Sequence, residues 1–90
     1  MRVKANKLGN AIRERRRELK LSQFHVSLRL GIKNGQYLYN IEKGKCTFPA
    51  HRILELSSIL MMPLERIKNL MVLDYIDALD LEIKERLDKK

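Results

Sequence analysis

The chain has 90 residues, which is the size of one small domain and excludes a two-domain enzyme. Lys and Arg number 19 against 11 Asp and Glu, giving a net charge of +8, while 44% of the residues are hydrophobic. This balance excludes a disordered basic tail and indicates a packed domain with a polyanionic partner. The single cysteine, Cys46, excludes an internal disulfide and fits a reducing cytoplasm.

The positive charge is concentrated in the first part of the chain. Residues 1–52 contain 13 Lys and Arg and 3 Asp and Glu, a net charge of +10, whereas residues 53–90 contain 6 and 8, a net charge of −2. A purely solubilising surface would interleave both signs. The division therefore favours a nucleic acid as the partner of the first half. We expect neither a membrane span nor a signal peptide, because no apolar run is long enough.

The first predicted element is a helix over residues 5–20. Leu8, Ile12, Arg16 and Leu19 recur at spacings of 4, 4 and 3, which places them on one helical face. A guanidinium on an apolar face requires a carboxylate partner. We therefore expect such a partner for Arg16 further along the chain. Arg residues 13, 15 and 17 lie around the same helix, and, like Arg29, they are expected on a solvated face, with contact to DNA as the alternative.

Residues 21–43 allow two interpretations. Ser22 is a good N-cap for a helix over 23–30, and Asn34 is one for a helix over 35–43. The same segment alternates apolar and polar residues from Phe24 to Leu30, and Asn34-Gly35 suits a hairpin turn. Local evidence is nearly balanced between two helices and a hairpin.

The remaining chain is predicted to form two further helices, over residues 50–61 and 64–88. Leu64, Ile67 and Met71 are expected to close the core. Beyond them lies a stripe too long for a small core to cover, so we expect self-association through it, with folding back across the bundle as the alternative. Its residues recur at spacings of 4, 3 and 4: Val72, Ile76, Leu79 and Ile83. Acidic residues flank this stripe and would keep this end of the chain away from DNA: Asp74, Asp77, Asp80 and Glu82.

An ordered set of residues runs through the first two thirds of the chain: Leu8-Gly9, Ile12-Arg13, Arg16, Leu21-Ser22-Gln23, Val26, Leu30-Gly31-Ile32, Ile41-Glu42-Lys43-Gly44, Pro49 and Leu60. From Leu8 to Ile67 the sequence resembles the lambda-repressor/Cro/XRE family of helix-turn-helix DNA-binding proteins. The segment from Gly31 to Glu42 is one residue longer than the commonest family spacing, which predicts a wider turn. Ser27 stands where the family usually has Ala.

The resemblance implies an all-α fold, a compact lambda-repressor-like bundle of four or five helices with an extended C-terminal helix. It favours the helical interpretation of residues 23–30, as the positioning helix, and 35–43, as the recognition helix. The DNA-binding domain would span residues 1–70 and a helical extension residues 71–90. The resemblance also implies a structural ion pair between Arg16 and Glu42 of the Glu-x-Gly motif.

A recognition helix inserts side chains near its N-terminus into the major groove of DNA. Gln and Asn match the paired donor and acceptor groups of adenine, and Tyr can stack or contact a thymine methyl group. The residues expected to contact bases are Asn34, Gln36, Tyr37 and Asn40. Phosphates are expected to bind at the start of residues 23–30 and beside the recognition helix. The residues expected to contact them are Ser22, Gln23, Lys33, Lys43 and Lys45.

These features predict a dimeric transcriptional repressor that reads an inverted-repeat operator on double-stranded DNA in the cytoplasm, at the nucleoid. No cofactor, metal site or catalytic residue is expected, because His25 and His51 lack partners at ligand spacing. One alternative is an antitoxin that also binds a toxin through the stripe or through Phe24 and Leu28. Another is an adaptor that binds only protein.

Overall fold

A computed structural model describes residues 6–88, and within them the chain is helical, with no strand. The all-α class is therefore confirmed, and the hairpin over residues 24–39 is wrong. The first predicted helix ends two residues early because Lys20 has a φ of 59°. A 3₁₀ turn, Ala50–Arg52, forms the start of the segment predicted as helix 50–61. The five α-helices are α1 (Lys7–Glu18), α2 (Gln23–Arg29), α3 (Gly35–Glu42), α4 (Ile53–Leu60) and α5 (Leu64–Asp88).

The predicted N-caps of α2 and α3 are present. Ser22 Oγ accepts a hydrogen bond from the backbone N–H of His25 at 2.9 Å, and Asn34 Oδ1 accepts one from Gln36 N–H at 2.9 Å. Each bond satisfies a backbone donor that has no partner within its helix. These caps place the starts of both helices where the sequence predicts them.

Helices α1 to α4 all end with one residue in the left-handed conformation. In α2, Gly31 has a φ of 84°, and the N–H of Ile32 reaches back to the carbonyl oxygen of Ser27 at 2.9 Å. This is the Schellman arrangement, which satisfies carbonyl groups at the end of a helix. The corresponding residues of the other three helices are Lys20, Gly44 and Met61.

The core lies where α1 to α4 meet the first part of α5. Val26, Ser27 and Leu30 are buried at spacings that fit a helix and not a strand, so their burial explains why α2 is preferred over the alternating pattern. The buried hydrophobic residues are Leu8, Ala11, Ile12, Val26, Leu30, Leu38, Ile41, Phe48, Leu56, Ile59, Leu60, Met62 and Ile67.

Helix α1 approaches the end of α3 closely at Gly9. A Cβ atom added there would lie 2.6 Å from the carbonyl oxygen of Ile41 and 2.4 Å from Oδ1 of Asn6. Asn6 also donates from Nδ2 to the carbonyl oxygen of Glu42 at 2.6 Å. Gly9 therefore offsets its poor helix propensity by permitting this contact between helices.

The start of α1 is held by α5. The Asp74 carboxylate accepts hydrogen bonds from the backbone N–H groups of Lys7, at 2.8 Å, and Leu8, at 3.0 Å. Asp77 accepts a hydrogen bond from Lys7 Nζ at 2.9 Å. This bond and the negative charge of Asp77 raise the pKa of Lys7. Negative charge at the positive end of the α1 dipole stabilises the helix. Two acidic residues expected to repel DNA thus also attach α5 to the bundle.

Helix α5 continues without a break across residues 70 and 71, and its outer face is open. The four residues of the predicted stripe are between 43% and 54% exposed: Val72, Ile76, Leu79 and Ile83. Among residues 6–88, no helix combines the length and the apolar character needed to cross a bilayer.

Replacing Ser27 should stabilise the fold. Its Oγ is buried and has no hydrogen-bond partner within residues 6–88, and an unsatisfied buried hydroxyl costs about 1–3 kcal/mol. We expect Ser27→Ala to raise the free energy of unfolding by about 1 kcal/mol, measured by urea denaturation. Ser58→Ala, at an exposed position of α4, is the control for helix propensity. An equal gain in both variants would contradict a cost at Ser27.

Candidate nucleic-acid interface

The interface expected from the sequence is built on a buried ion pair between α1 and α3. Arg16 donates from Nε to Glu42 Oε2 at 2.6 Å and from Nη2 to Oε1 at 3.0 Å. Its Nη1 donates to the carbonyl oxygen of Leu21 at 2.9 Å. The pair implied by the resemblance is therefore present in a two-point geometry, which fixes the orientation of both side chains.

Gln23 joins this pair from α2. Its Nε2 donates to Glu42 Oε1 at 3.1 Å. The Glu42 carboxylate, 3% exposed as a residue, thus receives donors from both α1 and α2. Gln23 was predicted to contact phosphate. In the structure its side-chain amide is instead bound to Glu42 within the protein.

A basic groove opens beside this pair. Its volume is about 460 Å³. The buried pair of Arg16 and Glu42 forms part of its wall. Helix α1 and Lys43, the residue after α3, contribute cations to it, and the groove therefore combines residues distant in sequence into one positive surface. The other residues that line the basic groove are Arg13, Arg17, Ser22, Gln23, Tyr39 and Lys43.

Tyr39 is the member of this groove that the sequence did not single out. Lys43 Nζ lies 5.8 Å from the centre of its ring, and Lys45 Nζ lies 5.4 Å from it. An ammonium group within about 6 Å of an aromatic face is attracted to it. One ring therefore gathers two of the lysines predicted to contact phosphate. The cue in the sequence is the spacing of Tyr39 and Lys43, four apart on one helical face.

Of the residues predicted to contact bases, Gln36 and Asn34 are exposed, and Gln36 has its side chain on the outer face of α3. The Nε2 of Gln36 donates to Oδ1 of the partly buried Asn40 at 3.0 Å. Asn34 uses its side-chain oxygen as the N-cap of α3. Tyr37 is partly buried against the core, and this burial raises the pKa of its hydroxyl. Gln36 and Asn40 thus form a polar pair on the outer face of α3, with Tyr37 turned partly inward.

Apart from Lys7 and Arg16, the described cations of the first half divide into two groups. Arg15 donates from Nε to the carbonyl oxygen of Leu60 at 2.9 Å, and Arg52 donates to that of Leu30. Both therefore satisfy the ends of helices. Other cations of the first half form no ion pair within residues 6–88. These are Arg13, Arg17, Lys20, Arg29, Lys33, Lys43 and Lys45.

No family model, curated protein or solved structure matches this chain. The geometry of the basic groove and of α3 is therefore the basis for assigning a function.

Removing one partner of the buried pair should be costly. In Glu42→Ala the Arg16 guanidinium would remain buried without its carboxylate, and we expect a loss of about 3–5 kcal/mol in the free energy of unfolding. The matched control is Glu65→Ala, which removes an exposed pair with Lys68 at 3.0 Å and should cost less than about 1 kcal/mol. Urea denaturation compares them. Equal losses would contradict the role given to Glu42.

Proposed function

We propose that this chain is a sequence-specific regulator of transcription that binds double-stranded DNA as a dimeric repressor, at the nucleoid in the cytoplasm. In this proposal the bundle is a lambda-repressor-like helix-turn-helix fold, with α2 as positioning helix and α3 as recognition helix. It reads an inverted-repeat operator.

The observation that carries the proposal is the arrangement of side chains on α3. Its outer face presents the amide groups of Gln36 and Asn40, and its neighbouring face presents Tyr39 and Lys43 on the basic groove. Groups suited to bases thus stand beside groups suited to phosphates on one short helix. A protein that reads DNA in the major groove requires this combination.

Base reading is assigned to the polar pair. A Gln or Asn side chain can form two hydrogen bonds with adenine in the major groove, which is about 12 Å wide and admits a helix. The bond between Gln36 and Asn40 holds both amides in a defined orientation. Gly35 lies against Phe24, where an added Cβ would be 3.6 Å from the Phe24 Cα, so it lets the starts of α2 and α3 approach closely. Asn34 and Tyr37 lie at the same end of α3 and are assigned to peripheral base contacts.

Phosphate binding is assigned to cations that have no ion pair within residues 6–88. Arg13 and Arg17 line the basic groove from α1, while Lys43 and Lys45 flank Tyr39. Cations that are already bound to a carboxylate lose part of their attraction for phosphate, whereas these do not. Ser22 and Lys33 complete the set by their positions next to α2 and α3. Contacts of this kind set affinity and orientation without reading the sequence.

Dimerisation is assigned to the stripe on α5. One unit of this size reads few base pairs, and two units related by a two-fold axis read two half-sites about one turn of DNA, ~34 Å, apart. The stripe provides exposed apolar surface for such an axis.

A protein partner is a second candidate, favoured by one observation. Phe24 and Leu28 are 52% and 46% exposed and lie four apart on α2. An antitoxin of the same fold would bind a toxin through such a surface while regulating its own promoter. This function adds a partner to the DNA-binding protein, and its test is the DNA affinity of Phe24→Ser in the isolated chain. Unchanged affinity would leave Phe24 free to bind a protein, whereas a loss of affinity would contradict this assignment.

Binding to duplex DNA should depend steeply on salt. If about 6–10 phosphates are contacted by a dimer, affinity should fall by about 10³–10⁵ between 50 and 200 mM salt. The measurement is a fluorescence titration of a duplex selected from random DNA by this protein. We expect the selected sequences to form an inverted repeat. A titration that is flat with salt would contradict the proposal and leave a protein-binding adaptor.

Two substitutions should separate base reading from phosphate binding. Gln36→Ala should cost about 1–3 kcal/mol on the selected operator and relax the preference at one base position. Lys45→Ala should weaken all duplexes alike and reduce the salt dependence. Lys84→Ala, an exposed cation near the end of α5, is the control for net charge. A uniform loss in Gln36→Ala would contradict its assignment.

A further inference from the structure

Helix α5 has two apolar faces. Its inner face places Ile67, which is buried, and Leu70 and Met71, which are partly buried, against the core. The stripe of Val72, Ile76, Leu79 and Ile83 lies on the other face. At 3.6 residues per turn, the centre of the stripe is about 150° around the helix from the core-facing residues. A helix that is apolar on opposite sides is expected to be covered on both.

The inner face is occupied by the chain itself. Asp74 binds the first two backbone N–H groups of α1, and Asp77 binds Lys7. These bonds attach the middle of α5 to the bundle and direct the stripe away from it. In residues 6–88 the four stripe residues remain exposed, so folding back across the bundle does not cover them.

We infer that the occupant of the stripe is α5 of a second copy, packed in the antiparallel direction. In this arrangement Val72 lies opposite Ile83 of the partner subunit, and Ile76 lies opposite Leu79 of the partner subunit. The inference rests on the dimer of the proposed function and adds its orientation and register. The two-fold axis passes between residues 77 and 78.

The spacing of the stripe supports this register. Residues at successive spacings of 4, 3 and 4 form the seam of a two-helix coiled coil. In the antiparallel register, each of the four layers contains two apolar side chains. Both copies use the same surface, so the interface closes on itself and leaves no stripe exposed for further assembly.

Flanking residues favour the antiparallel over the parallel direction. In the parallel arrangement, the layer after Ile83 would bring Arg86 against its own copy, which places like charges together. In the antiparallel register, Arg86 instead faces Asn69 of the partner subunit. Beside the seam, Tyr75 faces Glu82 of the partner subunit, so its exposed hydroxyl can donate to a carboxylate. Between residues 72 and 83, no pair of like charges adjoins this seam.

The register has a consequence for how the bundles are held. Asp74 and Asp77, which fasten α1 to the inner face of α5, lie level with the two-fold axis. The two bundles would therefore sit on opposite sides of the paired helices, each attached from Ile67, about 16 Å from the axis, up to the axis itself. The distance between the two α3 helices is then set by this attachment and not by the tip of a long helix.

Disulfide formation tests the direction directly. In the full chain with Cys46→Ser, we would prepare Val72→Cys and Ile83→Cys separately, one of them labelled with ¹⁵N. Oxidation of the mixture should yield the mixed disulfide at least ~10-fold faster than either variant forms a disulfide alone. In the antiparallel register each residue lies about 16 Å along the helix from its own copy, too far for a disulfide, which requires Cα atoms within about 7 Å.

Mass spectrometry identifies the cross-linked species, and Asn10→Cys, on the exposed side of α1, measures random collisions. Cross-linking of Ile83→Cys with itself, as fast as in the mixture, would overturn the antiparallel direction. Cross-linking no faster than that of Asn10→Cys in every sample would overturn the interface.

Sedimentation of the otherwise unaltered chain and of Ile76→Asp provides a second measurement that needs no cysteine. We expect a dimer and a monomer, respectively, with equal helix content by circular dichroism, because Ile76 is exposed within the chain. A dimer that survives Ile76→Asp would overturn the inference. Mixed disulfides without salt-dependent DNA binding would reject the proposed function alone, whereas DNA binding by a dimer without mixed disulfides would reject the register alone.

Discussion

The buried contact between Arg16 and Glu42 is the interaction on which the arrangement of the first three helices depends. The guanidinium comes from the apolar face of α1, the carboxylate is the last residue of α3, and Gln23 adds a donor from the start of α2. Neither charge is tolerated in the interior without the other. The three helix segments must therefore meet in one geometry, and this geometry determines which face of α3 remains outside and where the basic groove opens.

The charges of the first half serve two purposes that the net charge alone does not separate. Arg15 and Arg52 bind the carbonyl groups at the ends of α4 and α2, and they belong to the scaffold. Arg13 and Arg17 line the basic groove without an ion pair in the described part of the chain. The surface suited to a polyanion is therefore smaller than the net charge implies, but it is better defined, because it lies beside α3.

Helix α5 links this surface to assembly. Through Asp74 and Asp77 it completes the start of α1, whose other residues form the core and the wall of the basic groove. Its opposite face presents the stripe to solvent. The same helix is thus a structural part of the bundle and, in our proposal, the contact between two bundles.

Local interactions explain which features could be predicted from the sequence. The caps at Ser22 and Asn34 and the periodicity of α1 and α5 involve residues close along the chain, so the helical character of α1 and α5 and the starts of α2 and α3 followed from them. The pairing of Arg16 with Glu42 was expected because a charge on an apolar face requires a partner. Local patterns left α2 and a strand nearly balanced, and the resemblance favoured the helix, which the burial of Val26, Ser27 and Leu30 explains. The grouping of Arg13 and Arg17 with Lys43 in the basic groove and the capping of α1 by Asp74 were decided by tertiary structure. The two bonds of Asp74 join residues 66 and 67 positions apart, and such contacts depend on how helices pack, which no local pattern encodes.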